Sequence, residues 1–410
     1  MPYSATFAVP SSFPYRLFGD PGLYLLPLAA GLLTLPAVWS LAGMLSGARV
    51  GRLLAVPLAA LGTPLWFYSL TFWEHTPAAC LAVWSVLLAA RHVAGGGRRA
   101  LLLSAFLSAL AVYFRDDLYL LGGALAVIVL TGGSAAGRRD WSAAAAFAAA
   151  FVAALVPLWL FQWWALGNPL GLHVAAVAPL GAGVGHYLAE RWPVLSNLLL
   201  DAHGSAWRSL LISGPAALLF LLHPRLGAWR FARAVPVLAA LGAAGGSLAL
   251  AGHLGTDRPI WWLREANGLF AVSPFLILAF IREGDDGARR TVRLAALLLT
   301  LGWLVLAPEL RTGGLHWGCR LLLPLYPLMA TLAASTIGRW WESKPPWRRT
   351  GATLIGACLA LALALQLWSL HLLFRRVAFS AALNDAVMRR PESAVIAVGW
   401  FLPQELAHVF

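Results

Sequence analysis

Residues 67–88 read FYSLTFWEHTPAACLAVWSVLL, with a glutamate and a histidine side by side between two apolar runs. Ionisable groups within hydrocarbon are costly unless they face water, a partner or a cavity. Glu74-His75 therefore marks a turn at a membrane face, with one span ending before it and another beginning after it. The chain can be threaded outward from that point.

The composition agrees. Of 410 residues, 60% are hydrophobic and only 11% charged, and the mean hydropathy is +0.74. Soluble domains carry about 25% charged residues. A span needs about 20 apolar residues, fewer where tilt or short loops help. Such runs fall at 22–46, 53–70, 76–91, 100–114, 118–132, 142–162, 209–223, 234–252, 268–281, 292–308, 320–337 and 351–373. The expected architecture is an all-α polytopic membrane protein of about twelve transmembrane helices.

The turns alternate in charge. One set carries Arg49/Arg52, Arg91/Arg98/Arg99, Arg138/Arg139, Arg225/Arg230/Arg233, Arg282/Arg289/Arg290 and Arg339/Lys344/Arg348/Arg349. Basic turns stay in the cytoplasm. The opposite side then receives residues 1–21, Glu74-His75, Arg115-Asp116-Asp117, the long segment 163–208, 253–267, 309–319 and the chain after 374. Arg375, Arg376, Arg389 and Arg390 run against the rule, which weakens with distance from a span.

The net charge of +13 is spread in short clusters between apolar runs, which fits topology and not a nucleic-acid face. Cys80, Cys319 and Cys358 have no framework spacing and read as small residues in or near spans. The first twenty residues lack the basic start and apolar core of a signal peptide and read as a loop. No phosphate-cradling GxxxxGK[ST], dinucleotide fingerprint or HExxH occurs. No internal repeat of the kind that marks many transporters is evident.

The non-cytoplasmic face collects the residues able to carry chemistry. Glu74 can accept a proton, orient a hydroxyl or help hold a cation, and it equally fits a helix-end carboxylate, with His75 beside it. Arg115 can bind a phosphate through its donor fork, while Asp116 and Asp117 suit either a cation or neutralisation of Arg115. Trp66, Phe67, Tyr68, Phe72 and Trp73 suit the interface, or stacking on a sugar or prenyl chain. In FQWWALGNPLGLH, Asn168-Pro169 reads as a turn and His173 follows it. His253, Asp257, Arg258, Arg264 and Glu265, then Glu309, Arg311 and His316, fall on the same side. Arg320 opens an apolar span, either snorkelling to the interface or neutralising a lipid-linked phosphate. The acids have no spacing that specifies a metal, so a divalent cation stays open.

The succession YRLFGDPGLYLLPLAAGLL, LTFWEHTPAACLAVW, YFRDDLYLL, WWALGNPLGLH, NGLFAVSPFLILAF and LHWGCRLLLPLYPLM resembles the bacterial multi-spanning glycosyltransferases of the GT-C class. The nearer likeness is to relatives of the protein O-mannosyltransferases and the lipid A aminoarabinose transferase. This resemblance implies transfer of a sugar from a polyprenyl-phosphate donor to a lipid, glycan or protein acceptor. The reaction would occur at the extracytoplasmic face of the bacterial cytoplasmic membrane, by direct displacement with inversion. It implies catalytic roles for Glu74 and Asp116 as auxiliary or acceptor-positioning residues, and substrate contacts for Arg115 and Arg320; His75, Asp117 and His173 join the expected substrate contacts by their place at the same membrane face.

The family pattern also has an N-terminal helix and a long loop bearing its principal aspartate, neither visible before residue 22; Asp20 reads as a cap or turn residue. The expected organisation is thus an outer-loop remnant at 1–21, a polytopic domain at 22–373 including the outer loop 163–208, and the start of an extracytoplasmic segment at 374–410. Two other classes stand beside the enzyme. A transporter or lipid flippase would show broken helices or polar residues deep in its spans. A catalytically inactive homologue would lack the principal aspartate.

Overall fold

The computed structural model describes residues 5–132, 139–170, 184–200, 268–280, 286–306, 317–343 and 348–389. Among them the regular structure is entirely helical, an all-α bundle. The expected spans at 209–223 and 234–252 lie outside the described residues. Among the described residues four helical stretches are long and apolar enough to cross a membrane: Asp20–Leu45, His75–Val93, Trp141–Leu166 and Gly351–Val387. That architecture is consistent with a multi-pass membrane protein.

The helices in chain order are α1 (Ala5–Phe18), α2 (Asp20–Leu23), α3 (Leu25–Leu45), α4 (Arg49–Leu61), α5 (Leu65–Ser69), α6 (His75–Val93), α7 (Arg98–Phe114), α8 (Tyr119–Gly132) and α9 (Trp141–Leu166). They continue as α10 (Val184–Leu200), α11 (Leu269–Val272), α12 (Gly287–Leu306), α13 (Leu325–Ser343) and α14 (Arg348–Met388). Short 3-10 turns occupy Asp116–Leu118, Pro274–Phe280 and Arg320–Leu322. Small residues face inward: Ala78, Ala79, Ala82, Ala105 and Ala109 are completely buried where α6 meets α7. Their short side chains let helix axes approach closely, which favours association where lipid competes for every apolar surface.

Several expected spans are interrupted, each at a residue with a backbone reason. The run 53–70 divides into α4 and α5 at Gly62-Thr63-Pro64, where proline lacks the N–H needed to continue. The freed polar groups find partners: Thr63 Oγ1 donates to the Ala59 carbonyl at 2.5 Å, and Ser273 Oγ donates to the Gly62 carbonyl at 2.8 Å. The run 268–281 divides at Ser273-Pro274, and α13 starts only after Pro324. Residues 5–18, expected as part of a loop, are helical even though Pro10 and Pro14 lie inside the helix. Burial of Phe7 and a 2.8 Å bond from Ser11 Oγ to the Phe7 carbonyl help hold that helix despite its prolines. At the other end α14 passes residue 373 without a break and continues to Met388. Its 41 residues extend roughly 60 Å, about twice a hydrocarbon thickness.

Among the described residues, one end of the bundle collects the basic turns around Arg49, Arg91, Arg289 and Arg339. There Arg289, read from sequence as a loop cation, is only 1% exposed. Its guanidinium donates to the Leu45 carbonyl at 3.0 Å and to Ser335 Oγ, while Ser335 Oγ also donates to Leu45 at 3.0 Å. A cation at the last turn of α3 satisfies an orphan carbonyl and complements the helix dipole. Nearby, α4 and α13 cross at Gly51 and Gly338; a Cβ on Gly338 would lie 2.6 Å from the Gly51 Cα. We expect Gly338→Leu to lower unfolding stability in detergent by about 3 kcal/mol, the upper part of the overpacking range. Gly47→Leu, with open space around it, should leave the melting curve unchanged. Equal stability of the two variants would contradict this crossing.

Candidate functional site

The opposite end of the bundle holds the polar cluster. Glu74 sits immediately before α6, and His75 is that helix's first residue. Arg115 ends α7 in extended conformation, with φ −147° and ψ 114°, which turns the chain back through Asp116-Asp117 into α8. Residues 70–73 form the tight link between α5 and α6, closed by a 2.8 Å bond from Trp73 N–H to the Thr71 carbonyl.

Arg115 organises the cluster. Its Nε and Nη2 donate to the two Asp117 oxygens at 2.9 and 2.8 Å, the bidentate geometry of a strong charge-assisted pair. Its Nη1 reaches the His75 ring, 3.2 Å from Nε2 and also against Nδ1. Trp303 on α12 donates from Nε1 to Asp117 Oδ2 at 3.1 Å. Burial works against the Arg115 charge, but Asp117, with Glu74 and Asp116 adding, outweighs it and raises the guanidinium pKa above its ordinary value. The cation therefore persists at any working pH.

Glu74 is arranged differently. Its Oε1 lies 3.9 Å from His75 Nε2, and its side chain is 20% exposed. Its Oε2 is buried with no hydrogen-bond partner among the described residues. Buried carboxylate oxygens are normally satisfied, so an unused one next to cations is an unfilled acceptor.

Aromatic rings wall this site. Tyr68, completely buried, stacks on Trp73 with centroids 5.9 Å apart, and both rings meet His75 edge-on at 5.8 and 5.6 Å. The Arg320 guanidinium lies over Trp73, 5.3 Å from the ring centroid. The segment carrying Arg320 is fastened by its backbone: Trp317 N–H donates to the Tyr68 hydroxyl at 3.3 Å, and Cys319 N–H donates to the Tyr326 hydroxyl at 2.8 Å. Gly318 makes the turn between them at φ 65°, packed so closely that a Cβ there would lie 2.6 Å from the Tyr326 hydroxyl.

Thus Glu74, His75, Arg115, Asp117 and Arg320, far apart in sequence, meet at one end of the bundle, with Asp116 adjoining. His173, His253, Asp257, Arg258, Arg264, Glu265, Glu309, Arg311 and His316 lie outside the described residues. The expected Asn168 turn is present: Leu170 N–H donates to Asn168 Oδ1 at 2.9 Å, after Gly167 ends α9 at φ 68°. The rings at 66–73 are partly committed to protein contacts, since Tyr68 is enclosed and Phe72 packs on Phe7 at 4.8 Å. Sequence reasoning passed over Trp303, which sits in an apolar run, and gave Tyr326 no role. The only local signal for Trp303 is an indole N–H near a span's outer end, where it requires an acceptor. Among the described residues no group of three or more His, Cys, Asp and Glu is placed to hold a metal ion. Comparison with protein-family models, curated proteins and solved structures gives no match to this chain.

Proposed function

We propose that this chain transfers a sugar from a polyprenyl-phosphate donor to a hydroxyl of a lipid, glycan or protein acceptor at the extracytoplasmic face of a bacterial cytoplasmic membrane. The observation that supports this most is the Glu74 carboxylate, with one buried oxygen unused, set at the end of the bundle opposite the arginine-rich turns. The GT-C-like arrangement of about twelve spans belongs to the same proposal.

In this scheme Glu74 accepts the proton of the acceptor hydroxyl as its oxygen attacks the anomeric carbon. The bond from that carbon to the phosphate oxygen breaks, and the polyprenyl phosphate leaves with the electron pair. Arg320 neutralises charge building on the departing phosphate, which is where a fixed cation accelerates the step most. Arg115 acts as a positioning residue: two of its nitrogens are engaged by Asp117 and the third by His75. Asp116 adds to the field around the cation, and a divalent ion is not required by any step.

The test is transfer of labelled sugar from a panel of polyprenyl-phosphate donors in proteoliposomes. Arg320→Ala should slow transfer by about 10²-fold. Its melting curve, taken on the same preparation, separates any cost to the fold from the loss of transfer. Undiminished transfer by Arg320→Ala would remove that residue from the mechanism.

A second reading has its own observation. The breaks at Gly62-Pro64 and Ser273-Pro274 meet through the Ser273–Gly62 bond inside the bundle, as discontinuous helices do in transporters. The same proteoliposomes separate the two. A flippase would move the intact donor between leaflets and leave its sugar on the phosphate.

A further inference from the structure

Helix α1 is oriented by its two ends. Thr6, at its start, bonds the Tyr113 carbonyl in the last turn of α7, and Phe7 packs on Phe72 just before Glu74. Phe18, at its end, runs through Gly19, at φ 66°, into α2 and the beginning of α3. Both ends therefore lie at the polar-cluster end of the bundle, where α1 packs at Pro14 and Tyr15 against Gly22 at the start of the candidate span Asp20–Leu45.

Its faces are the reverse of a water-facing helix. Phe7 and Ser11 point into the protein and are fully or almost fully buried. Val9, Phe13 and Leu17, spaced four residues apart on one face, are 69%, 71% and 67% exposed. The helix carries Arg16 in its last turn and no acid. The exposed stripe continues into Tyr24, Leu28 and Leu32, which are 42%, 37% and 59% exposed on the candidate span Asp20–Leu45.

We propose that α1 is an interfacial helix whose Val9–Phe13–Leu17 face is seated in the acyl–headgroup boundary of the bilayer. The occupant is lipid because the stripe is continuous with the outward face of a span of bilayer length. The single charge, Arg16, is a base, of the sign that suits anionic headgroups. Held there, α1 places its N-terminal part against Phe72 and Tyr113, each two residues before a member of the polar cluster, Glu74 and Arg115.

The test uses the full chain in vesicles of neutral and anionic phospholipid, with nitroxide labels at Phe13→Cys and, separately, Leu17→Cys. Cys80, Cys319 and Cys358 are buried, and label taken up by the unsubstituted protein gives the background. Leu32→Cys supplies the lipid reference and the exposed Arg98→Cys the aqueous one. The expected result is a ratio of oxygen to nickel-chelate relaxation close to that of Leu32→Cys and several-fold above that of Arg98→Cys. A ratio like that of Arg98→Cys would overturn the proposal. So would labels shielded from both reagents, since protein would then cover the stripe. Neither readout depends on sugar transfer, so the outcome stands apart from the fate of the proposed activity.

Discussion

Replacing Arg115 with methionine should destabilise the protein by about 3–5 kcal/mol, the cost of leaving a buried ion-pair partner alone. Asp117 is the group left behind, 13% exposed, with only Trp303 Nε1 still donating to it at 3.1 Å among the bonds described above. Asp117→Leu should cost a similar amount, because it strands a cation that is itself 12% exposed. The double variant is the informative one. Removing both charges together removes both desolvation costs, so its loss should be well below the sum of the singles. Chemical or thermal unfolding of the purified protein in detergent gives all three values. Additive losses would mean that the two side chains are not a coupled pair.

Glu74→Gln should have the largest effect on activity, lowering transfer by about 10²–10⁴-fold, the usual contribution of a positioned general base. The amide keeps the shape and leaves the bundle intact, because no hydrogen bond of the described residues depends on Oε2. The useful measurement is therefore paired: transfer rate and melting curve on one preparation. A large loss of rate with an unchanged melting curve supports proton acceptance by Glu74. Full transfer by Glu74→Gln would exclude it, and a collapse of both would assign the residue to the fold.

Much of this arrangement was legible in the sequence, and the exceptions have physical causes. Apolar length located α3, α6 and α9 closely, because nothing but a helix satisfies the backbone across that distance in lipid. Alternating charge put Glu74 and Arg115 at one end, where the structure brings His75 and Arg115 into contact. Hydropathy could not find the breaks at Pro64 and Pro274, since proline is tolerated in apolar runs when neighbours such as Ser273 supply the missing partners. Nor could it separate Arg289 from Arg290, adjacent in sequence, of which one is buried against the end of α3 and the other exposed. Helix phase decides between them. Asp117 illustrates the same limit: its acid neighbourhood was visible, but its capture by Trp303, 186 residues away, depends on α12 packing beside α8.

The Leu45–Arg289 bond has a consequence for biosynthesis. Its partners are 244 residues apart, and the Tyr68–Trp317 bond at the other end joins residues separated by 249. At a ribosomal rate of about 5–20 residues per second, α3 waits roughly 12–50 s for the arginine that closes its last turn. Throughout that interval the early helices exist without the Arg289 contact. The half-made bundle already has the 2.9 Å bond from Trp84 Nε1 to the Leu33 carbonyl, which ties α6 to α3, and the Ser85 and Ser104 hydroxyls, each donating to the other's carbonyl at 2.8 Å across only 19 residues. Both fastenings are available long before Arg289 is made.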